Sequence, residues 1–129
     1  MSYYMAISVD MPFDQTVEKV RSALETEGFG VLSDIDVKAT MKKKLGKDIR
    51  NYRILGACNP PYAYKALQGE NKIGTLLPCN VVVQELEDGR VEIAAVNPVS
   101  SMQAVNNPGL LSLATEVRER LSRVIESFE

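Results

Sequence analysis

Val81-Val82-Val83-Gln84-Glu85-Leu86-Glu87-Asp88-Gly89-Arg90-Val91-Glu92-Ile93-Ala94-Ala95-Val96 is a pair of β-prone runs around a polar, glycine-bearing turn. Branched side chains suit a pleated surface, and Glu87-Asp88-Gly89-Arg90 carries hairpin-turn chemistry. The strand signal starts at Thr75 and lasts to Leu86, and Val91 to Val96 is its returning partner. Because the valine run does not alternate, it predicts cover on both faces over part of its length.

Upstream of the hairpin, Tyr52 to Cys58 reads as a strand ended by Asn59-Pro60-Pro61. Proline suits a helix's first turn, so Asn59 is the expected N-cap of a helix running through Tyr64 and Leu67 to Gly69. Further back, Val37, Met41 and Leu45 lie four apart, with acids before them, lysines at their end and Gly46 after, a polarity that complements a helix dipole. Phe29 to Leu32 predicts a short strand. Phe13, Val17, Val20 and Leu24 recur at helical spacing, with Asp14 as N-cap and Gly28 as the left-handed terminator. Tyr3 to Val9 predicts the first strand.

Downstream, Asn97-Pro98 stops the hairpin, and a short helical or irregular piece carries Met102 and Val105. Asn106-Asn107-Pro108 opens a last helix whose Leu110, Leu113, Val117, Leu121, Val124 and Phe128 hold the best helical rhythm in the chain. Glu116 with Arg120, and Glu119 with Arg123, fit i,i+4 pairing. The order β-α-β-α-β-α-β-β-α defines an α+β class, a mostly antiparallel sheet of four to five strands backed by helices. Its 129 residues fit one domain, 1–129.

Composition excludes several kinds of chemistry. Histidine is absent, which removes the usual neutral-pH base, the Ser-His and Cys-His dyads and the commonest transition-metal ligand. Fifteen basic against 17 acidic residues give a net charge of −2 and argue against a nucleic-acid partner. No apolar run approaches the ~20 residues that span a bilayer, so no membrane partner is expected. The opening residues lack a signal peptide's basic and apolar regions. A cytoplasmic location with reduced thiols is the expectation. Neither a Walker phosphate loop nor a GxGxxG fingerprint is present, and no cofactor is expected.

Taken together, Gly28-Phe29-Gly30-Val31-Leu32, Lys43-Lys44-Leu45-Gly46, Tyr52 to Pro60, Ile73-Gly74, Leu77-Pro78-Cys79-Asn80-Val81 and Asn97-Pro98 make the chain resemble the domain-of-unknown-function 302 family over nearly its whole length. That resemblance implies a TATA-binding-protein-like β-α-β4-α fold and a homodimer. It implies no activity.

The candidate site rests on two phrases, Cys58-Asn59-Pro60-Pro61 and Pro78-Cys79-Asn80, at the ends of apolar runs. If those runs are neighbouring strands, Cys58, Asn59, Cys79 and Asn80 line one pocket for a small ligand. An anionic ligand would draw on free backbone donors of the Pro60 helix and on Lys43 or Arg53 from the basic stretch Lys38 to Arg53. Two other readings stay open: thiol chemistry or soft-metal (Cu(I) or Zn(II)) binding by Cys58 and Cys79, or a structural homodimer. Tyr52, Tyr62 and Tyr64 are expected to gather around the first phrase. Asp34 and Asp36 fit capping rather than acid-base work.

Overall fold

The computed structural model describes residues 2–129; Met1, the first residue of the expected domain, lies outside them. Five antiparallel strands form one sheet: β1 (Tyr4–Val9), β2 (Gly30–Asp36), β3 (Tyr52–Cys58), β4 (Cys79–Glu85) and β5 (Val91–Val96). Their spatial order is β1-β5-β4-β3-β2, so the first two strands become the two edges. The helices are α1 (Phe13–Thr26), α2 (Val37–Leu45), α3 (Pro60–Gly69), α4 (Pro98–Met102) and α5 (Pro108–Glu126). The α+β class and the antiparallel sheet are as the sequence implies.

Apolar spacing decides which face is covered. Val17, Val20 and Leu24 of α1 and Val117, Leu121 and Val124 of α5 are buried with Leu55, Val81, Val83, Ile93 and Ala95 in one cluster. A second, smaller cluster joins Ala66, Ile73, Met102, Leu110 and Ala114. The seam between the two is where the candidate site lies.

Several expectations are corrected. The valine run is covered on one face only: Val81 and Val83 are sealed, whereas Val82 is half-buried. The helices that bury the core pack against the other side, leaving Val82 in a row with Ala6, Ala94, Ile54 and Ile35 across all five strands. β4 begins at Cys79 rather than Thr75, because Ile73–Leu76 winds into a 3-10 turn and Pro78 has no N–H for a ladder. β2 runs on through Ser33 to Asp36, with a register shift between Val31 and Ser33. There Asp34 lies under two guanidiniums and is held in the ladder instead of capping a helix.

α1 starts at Phe13, before Asp14, and its boundary is fixed by Thr16, whose N–H and hydroxyl both donate to the Pro12 carbonyl at 2.9 Å. Asp36 does cap α2, accepting from the Ala39 N–H at 2.9 Å. Arg120 and Arg123 leave their expected i,i+4 partners and converge on Glu27, at 3.8 and 3.0 Å. Glu27 is the more enclosed carboxylate, so the pairing ties α5 to the end of α1.

Candidate functional site

The end of β3, the start of β4 and helices α3, α4 and α5 line a half-open cavity of about 290 Å³. Its sheet side is Ala57, Cys58 and Cys79; Ala57 and Cys79 face one another across the β3–β4 ladder. Its helix side is Tyr62, Ala63 and Ala66 of α3, Met102 of α4, and Leu110, Leu113, Ala114 and Val117 of α5. Alanines opposite one another leave the room that leucines would fill. Leu32 and Leu67, 72% and 47% exposed, form an apolar lip.

Cys58, Asn59 and Cys79 are thus brought together. Asn59 is 8% exposed, yet it does not cap α3 with its side chain. Its Nδ2 donates instead to the Glu27 carbonyl at 3.1 Å. Cys79 is buried and Cys58 half-buried, both as free thiols. Burial pushes the Cys79 thiol up to about 11, and the neighbouring Cys58 adds to the rise. A thiol so shifted is a poor nucleophile at neutral pH.

Three expected residues lie elsewhere. Asn80 pairs with Gly56, one step out of phase with Ala57 and Cys79, so it is exposed on the sheet's other face. Arg53 shares the cavity's face but stands four residues along β3 from Ala57, roughly 13 Å at strand rise. It is spent on Asp34, its Nε donating to Oδ1 at 2.7 Å. Lys43 is exposed on α2, away from the cavity lining. Of its basic neighbours, Lys38 donates to the Ile49 carbonyl at 2.7 Å and Lys42 pairs with Asp48 at 3.4 Å.

The anion-binding expectation fails on local geometry. Pro60 and Pro61 have no N–H, and the next two, on Tyr62 and Ala63, both donate to the Asn59 carbonyl at 3.1 and 3.0 Å. No free donor remains at the start of α3, and no lysine, arginine, aspartate or glutamate lines the cavity.

The tyrosines scatter as well. Tyr62 lines the cavity, held by Arg120, whose Nε donates to its hydroxyl at 3.2 Å and whose guanidinium lies 5.5 Å from the ring centre. Tyr64 is exposed, and Tyr52 lies on the open sheet face under Arg50. Among the described residues no group of three His, Cys, Asp or Glu side chains is placed to hold a metal.

Residues that the cysteine phrases do not reveal make most of the wall. Ala63 with Ala66, and Ala114 within the Leu110-to-Val117 face, carry the only signal, small residues on an otherwise bulky helical face. In sequence that signal is the same as close helix packing.

The family model described as "Domain of unknown function DUF302" matches residues 5–128, and the chain belongs to that family. It is similar to the crystal structure of an uncharacterised conserved DUF302 protein from Bacillus stearothermophilus, with 28% identity, a TM-score of 0.92 and coverage of 100% of both chains. An uncharacterised protein of Aquifex aeolicus (strain VF5) is 28% identical over 87 residues, 67% of this chain and 54% of that relative. The chain therefore spans about half the length of the curated relative it matches.

Proposed function

We propose that residues 1–129 act as a binding module of the DUF302 family that holds a small molecule in the cavity between the β3–β4 end and helices α3, α4 and α5. One observation carries the proposal: about 290 Å³ is left open at the seam of two buried apolar clusters, with an apolar lip leading out. Small-molecule sites are concave and mostly apolar.

A thermal-stability screen of a small-molecule library, run on the wild type and on Ala114→Leu, tests it. Native-state binding raises stability by mass action, by about 2.7 kcal/mol at a hundredfold excess over Kd. Some compounds stabilise the wild type, and the same compounds leave Ala114→Leu unmoved because leucine occupies their space. Stabilisation that persists in the variant for every compound, or no stabilisation by any, contradicts the proposal.

A second reading, homodimerisation, is favoured by the uncovered sheet face. The Ala6–Ala94–Val82–Ile54–Ile35 row crosses every strand, and Tyr4 and Tyr52 flank it. Thiol redox or soft-metal handling is the weaker alternative, since the raised pKa of Cys79 disfavours the thiolate that either would need.

A further inference from the structure

We infer that the cavity takes an uncharged, compact lipophilic molecule bearing one hydroxyl or N–H group, and that this group donates to Asn59 Oδ1. The inference rests on the binding-module reading above and specifies its ligand.

Size comes from the volume. A cavity of roughly 150 Å³ accommodates one benzene, so about 290 Å³ has room for a fused two-ring molecule. Charge is excluded by the wall. No charged side chain lines the space, and the start of α3 has no spare N–H to meet an anion. An ion placed there would lose its hydration without gaining a partner. Burial in the same apolar surroundings raises the Cys79 thiol pKa.

Polarity comes from Asn59. An amide carries two donors and an acceptor. Its Nδ2 is committed to the Glu27 carbonyl at 3.1 Å, while among the described residues no group donates to Oδ1. The residue is 8% exposed and lines the cavity. No side-chain oxygen or nitrogen among the described residues is both sealed from solvent and unpaired, so Oδ1 remains reachable. An apolar ligand that covers this oxygen leaves it without a partner, which is costly, and a ligand that donates to it avoids that cost.

The test is a fluorescence titration with 2-naphthol, naphthalene and 2-naphthoate, read without tryptophan emission because the chain has no tryptophan. The expected ranking at neutral pH is saturable binding of 2-naphthol, about tenfold weaker binding of naphthalene for want of one hydrogen bond, and none of 2-naphthoate. In Asn59→Ala the first two become equal; should that variant not fold, the wild-type ranking decides alone. Equal affinity of naphthol and naphthalene in the wild type overturns the Asn59 anchor. Naphthoate binding that Ala114→Leu abolishes overturns the ligand class and leaves the binding-module reading standing. Silence from all three probes, when other library compounds bind in the cavity, also overturns the class. If no compound of any kind binds there, the binding-module reading itself fails.

Discussion

Asn59 donates through Nδ2 to the backbone carbonyl of Glu27, 32 residues earlier, at 3.1 Å. One amide thereby ties the start of α3 to the end of α1, and Arg120 of α5 donates to the same carbonyl at 3.3 Å. Three helices meet at one oxygen beside the cavity. Gly28 makes the approach possible: its φ is +87°, and a β-carbon there would stand 3.1 Å from Asn59 Nδ2.

Removing that amide should therefore cost stability. Asn59→Ala is expected to lower unfolding free energy by about 1 to 3 kcal/mol, nearer the lower bound because Arg120 still donates to Glu27. A urea-unfolding midpoint unchanged from wild type would show that the bond contributes nothing.

Gly56 offers a purely steric test. Its backbone needs no left-handed conformation, but a β-carbon would come within 2.8 Å of Pro78 Cγ and would also press on Ser33. The Pro78 ring beside the cavity is the stiffer neighbour, since the exposed Ser33 hydroxyl can rotate aside. Gly56→Ala is expected to cost about 1 to 3 kcal/mol by overpacking, read from the thermal midpoint. A neutral result would mean that Pro78 moves freely.

Two groups set opposite ends of the pH profile. The Arg53 hydrogen bond, against a desolvation cost and with help from Arg21, holds Asp34 below the usual carboxylate range. Its contribution is present above the unfolded pKa of about 3.9 and is lost as pH falls through the lower folded value. Cys79 is shifted the other way, from 9.0 to about 11. Between those values the unfolded chain has released a proton that the folded chain keeps, so stability falls as pH rises. Asp34→Asn should flatten the acid limb and Cys79→Ala the alkaline limb in denaturation measured across pH. Limbs of unchanged slope in either variant would contradict the assigned group.

The open sheet face makes a separate claim. If the Val82 row is buried between two copies, sedimentation velocity of the wild type gives a dimer, and Val82→Glu gives a folded monomer by placing like charges in the contact. A wild-type monomer at tens of micromolar, or a dimer indifferent to Val82→Glu, rules that face out.

Strands and helices were legible because they depend on local spacing. The hairpin at Glu87 to Arg90 closes as expected, with Gly89 at φ +87°, and α5 buries the side it should. The candidate site was legible only where neighbours in sequence remain neighbours in space. Cys58 and Cys79 both line the cavity because β3 and β4 pair, which their β signals imply. Asn80 was lost to a single step of strand alternation, since its phase depends on the ladder beginning at Cys79. Arg53 and Lys43 were misplaced because charge composition carries no distance. The helical wall was hidden, because Ala66, Met102 and Ala114 are brought together by packing among elements far apart in the chain.

Methyl-resolved NMR during titration with a compound that stabilises the wild type is the most direct test of the cavity as a ligand site. Shifts confined to Ala57, Ala66, Leu110 and Ala114, with Ala6 and Ala94 on the opposite face unmoved, are the expected result. Shifts at Ala6 and Ala94 with the methyls of those four cavity residues silent would contradict it.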